Sequence, residues 1–273
     1  MRFLGIDLAW GEGSDARPAN RSGLVALQPS GEITAAGWTI GLPATIEWIG
    51  RNAQEDTALF VDAPLVVTNL TKQRLAEKQV GQRYGSAWVS ANSTNLGSKH
   101  QAGVRLREQL EEMGWAYSDG LAGPSPTGRH ICECYPYTTI VGVEELGYAD
   151  KRPAYKRKPK AMTTRAFRPE QRKTCDELIA RIASLETGQP PIDLMSHQET
   201  ARLVTERSPE DPKAYKQRED LLDAAICAWT AALWQRDGLG RCQVLGGPEH
   251  DGAGGQLATI IAPARQGQRR DMA

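Results

Sequence analysis

The chain of 273 residues is 40% hydrophobic, enough to bury a sizeable core in one large domain or two small ones. Its 33 basic and 33 acidic side chains cancel, so no global charge announces a nucleic-acid or anionic-membrane partner, and any electrostatic footprint is local. No run approaches the roughly 18 apolar residues of a membrane span and no secretory signal opens the chain; with five cysteines lacking framework spacing, it reads as a cytoplasmic protein with reduced thiols.

In chain order, RFLGIDLA has the apolar look of a central strand, and SGLVALQ and GEITAAGWT follow as two more, joined by a Pro-Ser-Gly turn. LPATIEWIGRNAQ shows helical spacing and TALFVDAPL returns as a fourth strand. TKQRLAEKQVGQRYG and GVRLREQLEEMGW read as helices around the polar loop SANSTNLGS, and RHICECYP reads as a fifth strand stopped by Pro136. The predicted order is βββαβααβ: a mixed α/β chain with a five-stranded sheet. From Gly147 to about Arg168 the apolar period breaks, predicting an exposed loop. A helix is expected from Pro169, and REDLLDAAICAWTAALWQRDG gives a buried one, apolar around most of its surface. RCQVLG and QLATIIAP predict a closing hairpin across a Gly-rich turn, and residues 266–273 a disordered tail.

Three carboxylates interrupt apolar segments where a strand ends or a buried helix runs: Asp7 in GIDLAW, Asp62 in ALFVDAPL and Asp223 in LLDAAICAW. An ionised Asp is costly to bury unless something positive meets it. Asp62 falls at the carboxyl end of its strand, the edge where ligands bind in open α/β sheets. Glu133 in ICECYP has the same character. Asp220 lies three residues before Asp223, so the two stack on one helix face; a first-turn role for Glu219 and Asp220 at a helix start is the plainer alternative. Each acid alone can be a satisfied buried carboxylate. Gathered in one region they repel and take up protons unless divalent ions neutralise them, and oxygen donors without a clustering His favour Mg²⁺ or Mn²⁺. Two such ions suit attack of water on a phosphodiester.

Together, GIDLAW, VDAPL, ECYP and LLDAAICAWTA resemble the domain of unknown function 429 family, described as predicted nucleases of ribonuclease H-like fold. The resemblance runs from Gly5 to about Trp234. It implies a single ribonuclease H-like domain over residues 1–265, with helices on both sheet faces and a basic loop and helical insertion over 148–215 before the last helix. It also implies Asp7, Asp62 and Asp223 as metal-holding acids, Asp220 as a helper and Glu133 as the Glu of an E-x-Y-P stretch. For the first-helix Glu of ribonuclease H enzymes, Glu47 is the nearest candidate.

Residues 151–173 hold ten Lys or Arg against Glu170 alone, with Tyr155 and Phe167 interleaved. Such a strip can track a phosphate backbone, with Lys156 or Lys158 steadying a phosphate, or it can be a solvated loop. Arg74 and Glu77 either face the site or form a surface ion pair, and Asn92 has the same standing. Cys132 and Cys134 share a strand face, but without a partner set for zinc they read as core. His100 and His130 are isolated, and Trp229 and Trp234 read as core. The leading expectation is a metal-dependent phosphodiesterase or nuclease acting on a nucleic acid or nucleotide, with Glu133 orienting water. The alternatives are an ATP-dependent phosphotransferase of the actin-like or sugar-kinase type, hinted at by Gly11 and Gly13, and a non-catalytic nucleic-acid-binding module.

Overall fold

The computed structural model describes residues 1–11, 13–14, 17–158, 162–247 and 255–269. Strand β1 (Arg2–Asp7) is followed by a two-residue ribbon, β2 (Gly13–Ser14) and β3 (Arg17–Pro18), and then by β4 (Arg21–Leu27) and β5 (Ile33–Ile40), which pair antiparallel as the expected meander. Helix α1 (Leu42–Asn52) crosses over to β6 (Thr57–Val61), parallel to β1. Helices α2 (Leu75–Tyr84) and α3 (Ala102–Glu112) precede β7 (Ala116–Tyr117) and β8 (Arg129–Glu133). The main sheet runs β5-β4-β1-β6-β8-β7, six strands rather than five. The extra one, β7, pairs with β8 over two residues only, too short a run for any alternation to show.

Strand alternation divides the core. Phe3, Val25, Ala58, Phe60 and Cys132 face one side of the sheet, and Leu4, Ile6, Leu24, Leu59 and Ile131 face the other, under α1 and α3. The first side is covered by α4 (Pro136–Gly142), α5 (Thr164–Ala183), α6 (Gln198–Thr205) and above all α7 (Pro212–Asp237), which lies along β1, β4 and β6. Cys132, Cys134, Trp229 and Trp234 are buried there, as expected of core residues. The hairpin β9 (Cys242–Gly247) and β10 (Ala258–Pro263) forms as expected and packs on α2; its Gly-rich turn lies outside the described residues. Among the described residues no helix is long and apolar enough to cross a membrane.

Several expectations change. Pro136 opens helix α4 instead of merely ending a strand, because its fixed φ suits a first helical turn. Helix α5 begins at Thr164, capped by the Thr163 side chain, and takes Pro169 inside it. Helix α7 begins at Pro212, where the Asp211 carboxylate accepts from the Ala214 amide at 2.8 Å. Glu219 and Asp220 therefore lie well inside the helix, and neither caps it. The segment 147–168 is not simply an exposed loop: Tyr155 is fully buried, its carbonyl accepting from Tyr215 Oη at 2.8 Å and Gln171 Nε2 at 3.0 Å, and Phe167 is buried on α5. Neither ring is available for stacking. Of the tail expected to be disordered, Gln266–Gln268 forms a short 3₁₀ turn with Gln268 buried, while residues 270–273 lie outside the described ones.

Candidate functional site

Asp7 ends β1, and Asp62 follows β6 directly, its amide donating to the Ile6 carbonyl at 2.8 Å so that the parallel ladder continues into it. By alternation Asp7 shares the face of Phe3, and Asp62 that of Phe60, so both turn toward α7. Two glycines bring α7 close. A Cβ on Gly5 would lie 2.1 Å from the Ala224 carbonyl oxygen, and one on Gly23 2.2 Å from that of Asp220. With no side chain between helix and sheet, Asp223 comes down against the two strand ends.

Carboxylate oxygens of Asp7, Asp62 and Asp223 lie within 4.8 Å of one another. Asp223 is fully buried, its Oδ1 accepting from Tyr155 Oη at 2.7 Å and its Oδ2 meeting the Lys156 ammonium, which also lies 3.7 Å from Asp62 Oδ2. Beside them Asp220 is hydrogen-bonded to Asp7 and paired with Lys216 at 2.6 Å, and Lys216 also pairs with Glu219 at 2.7 Å. Five carboxyl groups thus face two ammonium groups. Burial, with repulsion from Asp7 and Asp223 only partly offset by Lys156, pushes Asp62 up to about 8. Burial and then Asp7 push Asp220 up to about 9, whereas burial raises Asp223 only to about 6 because Lys156 pulls it back. Burial works against the charge on Lys156, yet Asp223, Asp7 and Asp62 hold its pKa well above the ordinary lysine value. The Asp7, Asp62 and Asp223 donors are all hard oxygens, they converge from three elements, and they carry excess negative charge, which fits a hard divalent cation.

Of the other expected site residues, Arg74, Asn92 and Glu133 line a small pocket that Asp62 also borders, and none of them joins the cluster of acids. Glu133 has the parity of Ile131 and so leaves β8 on the opposite face from the three acids. Its oxygens accept from Arg74 Nη2 at 2.6 Å, Arg74 Nη1 at 2.8 Å and the Leu65 amide at 2.9 Å, so its partners are a buried cation and a backbone amide. Arg74, buried between Glu133 and Glu77, is likewise an anchor and not a substrate group; Glu77 also accepts from the Thr94 amide at 2.9 Å. Lys158 donates to the Met162 carbonyl at 2.7 Å, away from the acids. Glu47 points to solvent and pairs with Arg51. His130 is half-buried against the Thr127 carbonyl, and His100 lies beside Gly11.

Asp7, Asp62 and Asp220, with Lys156 and Lys216, line a cleft of about 290 Å³ whose walls also include Trp10, Asn20, Arg21, Asn92, Tyr135 and Arg157. Of these only Asn92 is singled out by sequence pattern. Trp10 is the last letter of GIDLAW, three residues past Asp7, and the nearness of an aromatic residue to a strand-end acid is the one signal that points to it.

Nothing matches the chain among curated proteins or among solved structures. The family described as protein of unknown function (DUF429) matches residues 5–251, a span that takes in Asp7, Asp62, Glu133 and Asp223. The chain is therefore a member of the DUF429 family.

Proposed function

We propose that this protein is a metal-dependent phosphodiesterase or nuclease of ribonuclease H-like fold, with Mg²⁺ or Mn²⁺ held by Asp7, Asp62 and Asp223. The observation that carries the reading is the convergence of those three carboxylates, from two central strand ends and a buried helix, on one point, with Asp7 and Asp62 opening onto a cleft and Asp223 buried behind them. An antiparallel β5-β4-β1 half continued by parallel β6 and β8 supports the fold assignment.

When bound, a divalent cation supplies an acidified water and charge stabilisation at phosphorus. The chain's own residues do the rest. The Tyr155 hydroxyl fixes the Asp223 carboxylate by holding Oδ1, leaving Oδ2 to the Lys156 ammonium. Asp220, protonated near neutral pH, donates to Asp7 and orients it. Lys156 keeps its proton, so it acts as a point charge for a phosphate oxygen and not as a base.

The test is thermal unfolding with EDTA, Mg²⁺ and Mn²⁺ on the wild type and Asp7→Asn, followed by turnover of a chromogenic phosphodiester. Stabilisation by Mn²⁺ that the substitution abolishes is expected; no metal response in the wild type overturns the reading. One observation favours a second reading. Lys156 already gives Asp223 and Asp62 a positive partner, as a non-catalytic module with a structural ion cluster requires, and that protein ignores metal.

A further inference from the structure

The walls of the cleft say more about its occupant than the acids do. Arg157 donates to the Ser90 carbonyl and to Asn92 Oδ1, both at 2.9 Å, and no carboxylate neutralises it among the described residues. Arg21, which lines the same cleft, is exposed and likewise has no acid partner among them. Two guanidinium groups without a carboxylate partner among the described residues, beside a hard-cation site, call for an anionic ligand, and arginine suits phosphate oxygens.

Trp10 and Tyr135 supply flat apolar surface along the same cleft, and neither is buried. Both are held in place: Trp10 Nε1 donates to the Asp62 carbonyl at 3.4 Å, and Tyr135 Oη to the Ser90 carbonyl at 3.1 Å, the same carbonyl that receives Arg157. Fixed rings lose little entropy on binding a flat partner. The amides of Asn20 and Asn92 can meet the hydrogen-bonding edge of a base, an edge that pairing would hide. At about 290 Å³ the cleft is at the lower end of small-molecule sites, which begin near ~300 Å³, and has room for one such unit.

Resting on the phosphodiesterase reading, we propose that the site takes a single unpaired nucleotide, its phosphate over the acids and between Arg21 and Arg157, its base against Trp10 and Tyr135. The substrate is then a free nucleotide or a single strand, and a continuous duplex is excluded.

The experiment measures binding of 5′-AMP, a ten-residue phosphorothioate single strand and the corresponding blunt duplex, by quenching of tryptophan fluorescence and by polarisation of labelled strands, in EDTA and in Mn²⁺. Binding of the first two well above the duplex is expected, and their relative affinities tell nucleotide from strand. Trp10→Ala weakens that binding about 5- to 150-fold, the span of base–aromatic stacking, while Trp10→Phe retains it. Arg157→Ala weakens it and makes it less sensitive to salt than wild-type binding is. All three variants keep the Mn²⁺ thermal shift, which shows that they fold and still hold metal. A duplex bound as tightly as the strand, or Trp10→Ala without effect on binding, overturns the proposal while leaving the metal reading intact. Loss of the Mn²⁺ response in the wild type with nucleotide binding intact does the reverse.

Discussion

Substituting Gly5 by Ala tests whether the close seat of α7 builds the site. The new Cβ would stand 2.1 Å from the Ala224 carbonyl oxygen, 2.2 Å from the Ala228 amide nitrogen and 2.9 Å from Ala228 Cα, all backbone atoms that no rotamer change can clear. Favourable non-bonded separations are about 3.5 Å or more, so helix and strand must part by about 1 Å along a buried contact. Overpacking of this kind costs about 3 kcal/mol or more, at the upper end of its usual range. For a chain of this size that is a fall in Tm of about 6–12 °C at the 2–4 °C per kcal/mol that larger domains show. Because Ala224 adjoins Asp223, the same movement draws one of the three acids away, and the Mn²⁺-induced shift should shrink as well. Gly50→Ala is the control: it lies exposed on α1 with nothing within 4 Å of its added Cβ, and should stabilise by about 0.5–1 kcal/mol. Scanning calorimetry on both variants with and without Mn²⁺ decides. A Gly5→Ala protein within 2 °C of wild type, with its metal response intact, refutes the argument that close packing positions Asp223.

Arg74→Met leaves Glu133 and Glu77 buried without their cation and should cost about 3–5 kcal/mol in urea unfolding; a loss under 1 kcal/mol would mean the pair is dispensable. Asp62, Asp220 and Asp223 all bind protons more tightly folded than unfolded, where the ordinary value is 3.8. Metal-free stability from these groups is therefore full below about pH 4 and is lost as pH rises through about 6, 8 and 9, the folded values. In EDTA, Tm should fall across this window, Asp62→Asn should flatten the fall and saturating Mn²⁺ should counter it; a rising Tm contradicts the picture. Lys156→Met strips the cluster of its nearest cation, so the metal-free protein should lose about 3–5 kcal/mol while its Mn²⁺-induced shift grows. Unchanged metal-free stability in that variant would show that Lys156 does not hold the acids together.

The elements with a sustained period were readable: the meander, the β6 crossover, the buried late helix and the closing hairpin all form where apolar spacing puts them. What escaped was short or set by distant contacts. Strand β7 has two residues, and α4 begins at a proline that local rules read as a stop. The start of α7 was misplaced because its first two turns, PKAYKQR, carry almost no apolar signal; they become helical through the Asp211 cap and the contacts of Tyr215. That error fed the idea that Asp220 sits at a positive helix end, whereas it is held by Lys216 and by hydrogen bonding to Asp7.

The acids divide along the same physical line. Asp7, Asp62 and Asp223 are marked by one logic, a charge interrupting an apolar run, and they meet. Glu133 is marked by that logic too and does not join them, because alternation in RHICECYP sends it to the face opposite Cys132 and Cys134. Burial of a carboxylate thus shows only that a partner exists; the parity of its strand decides which. For Glu133 the partner is Arg74, which the sequence leaves open between facing the site and pairing with Glu77, and whose guanidinium is enclosed between the two glutamates. Lys156 makes the converse point. Sequence pattern marks it only as one of ten cations in a strip that tracks phosphate or stays solvated, yet burial of the neighbouring Tyr155 turns that strip inward and places the Lys156 ammonium on Asp223. A one-residue step along the chain, from a ring in the core to a charge in the site, is what joins the basic segment to the acidic floor, and it depends on a tertiary contact that no local pattern encodes.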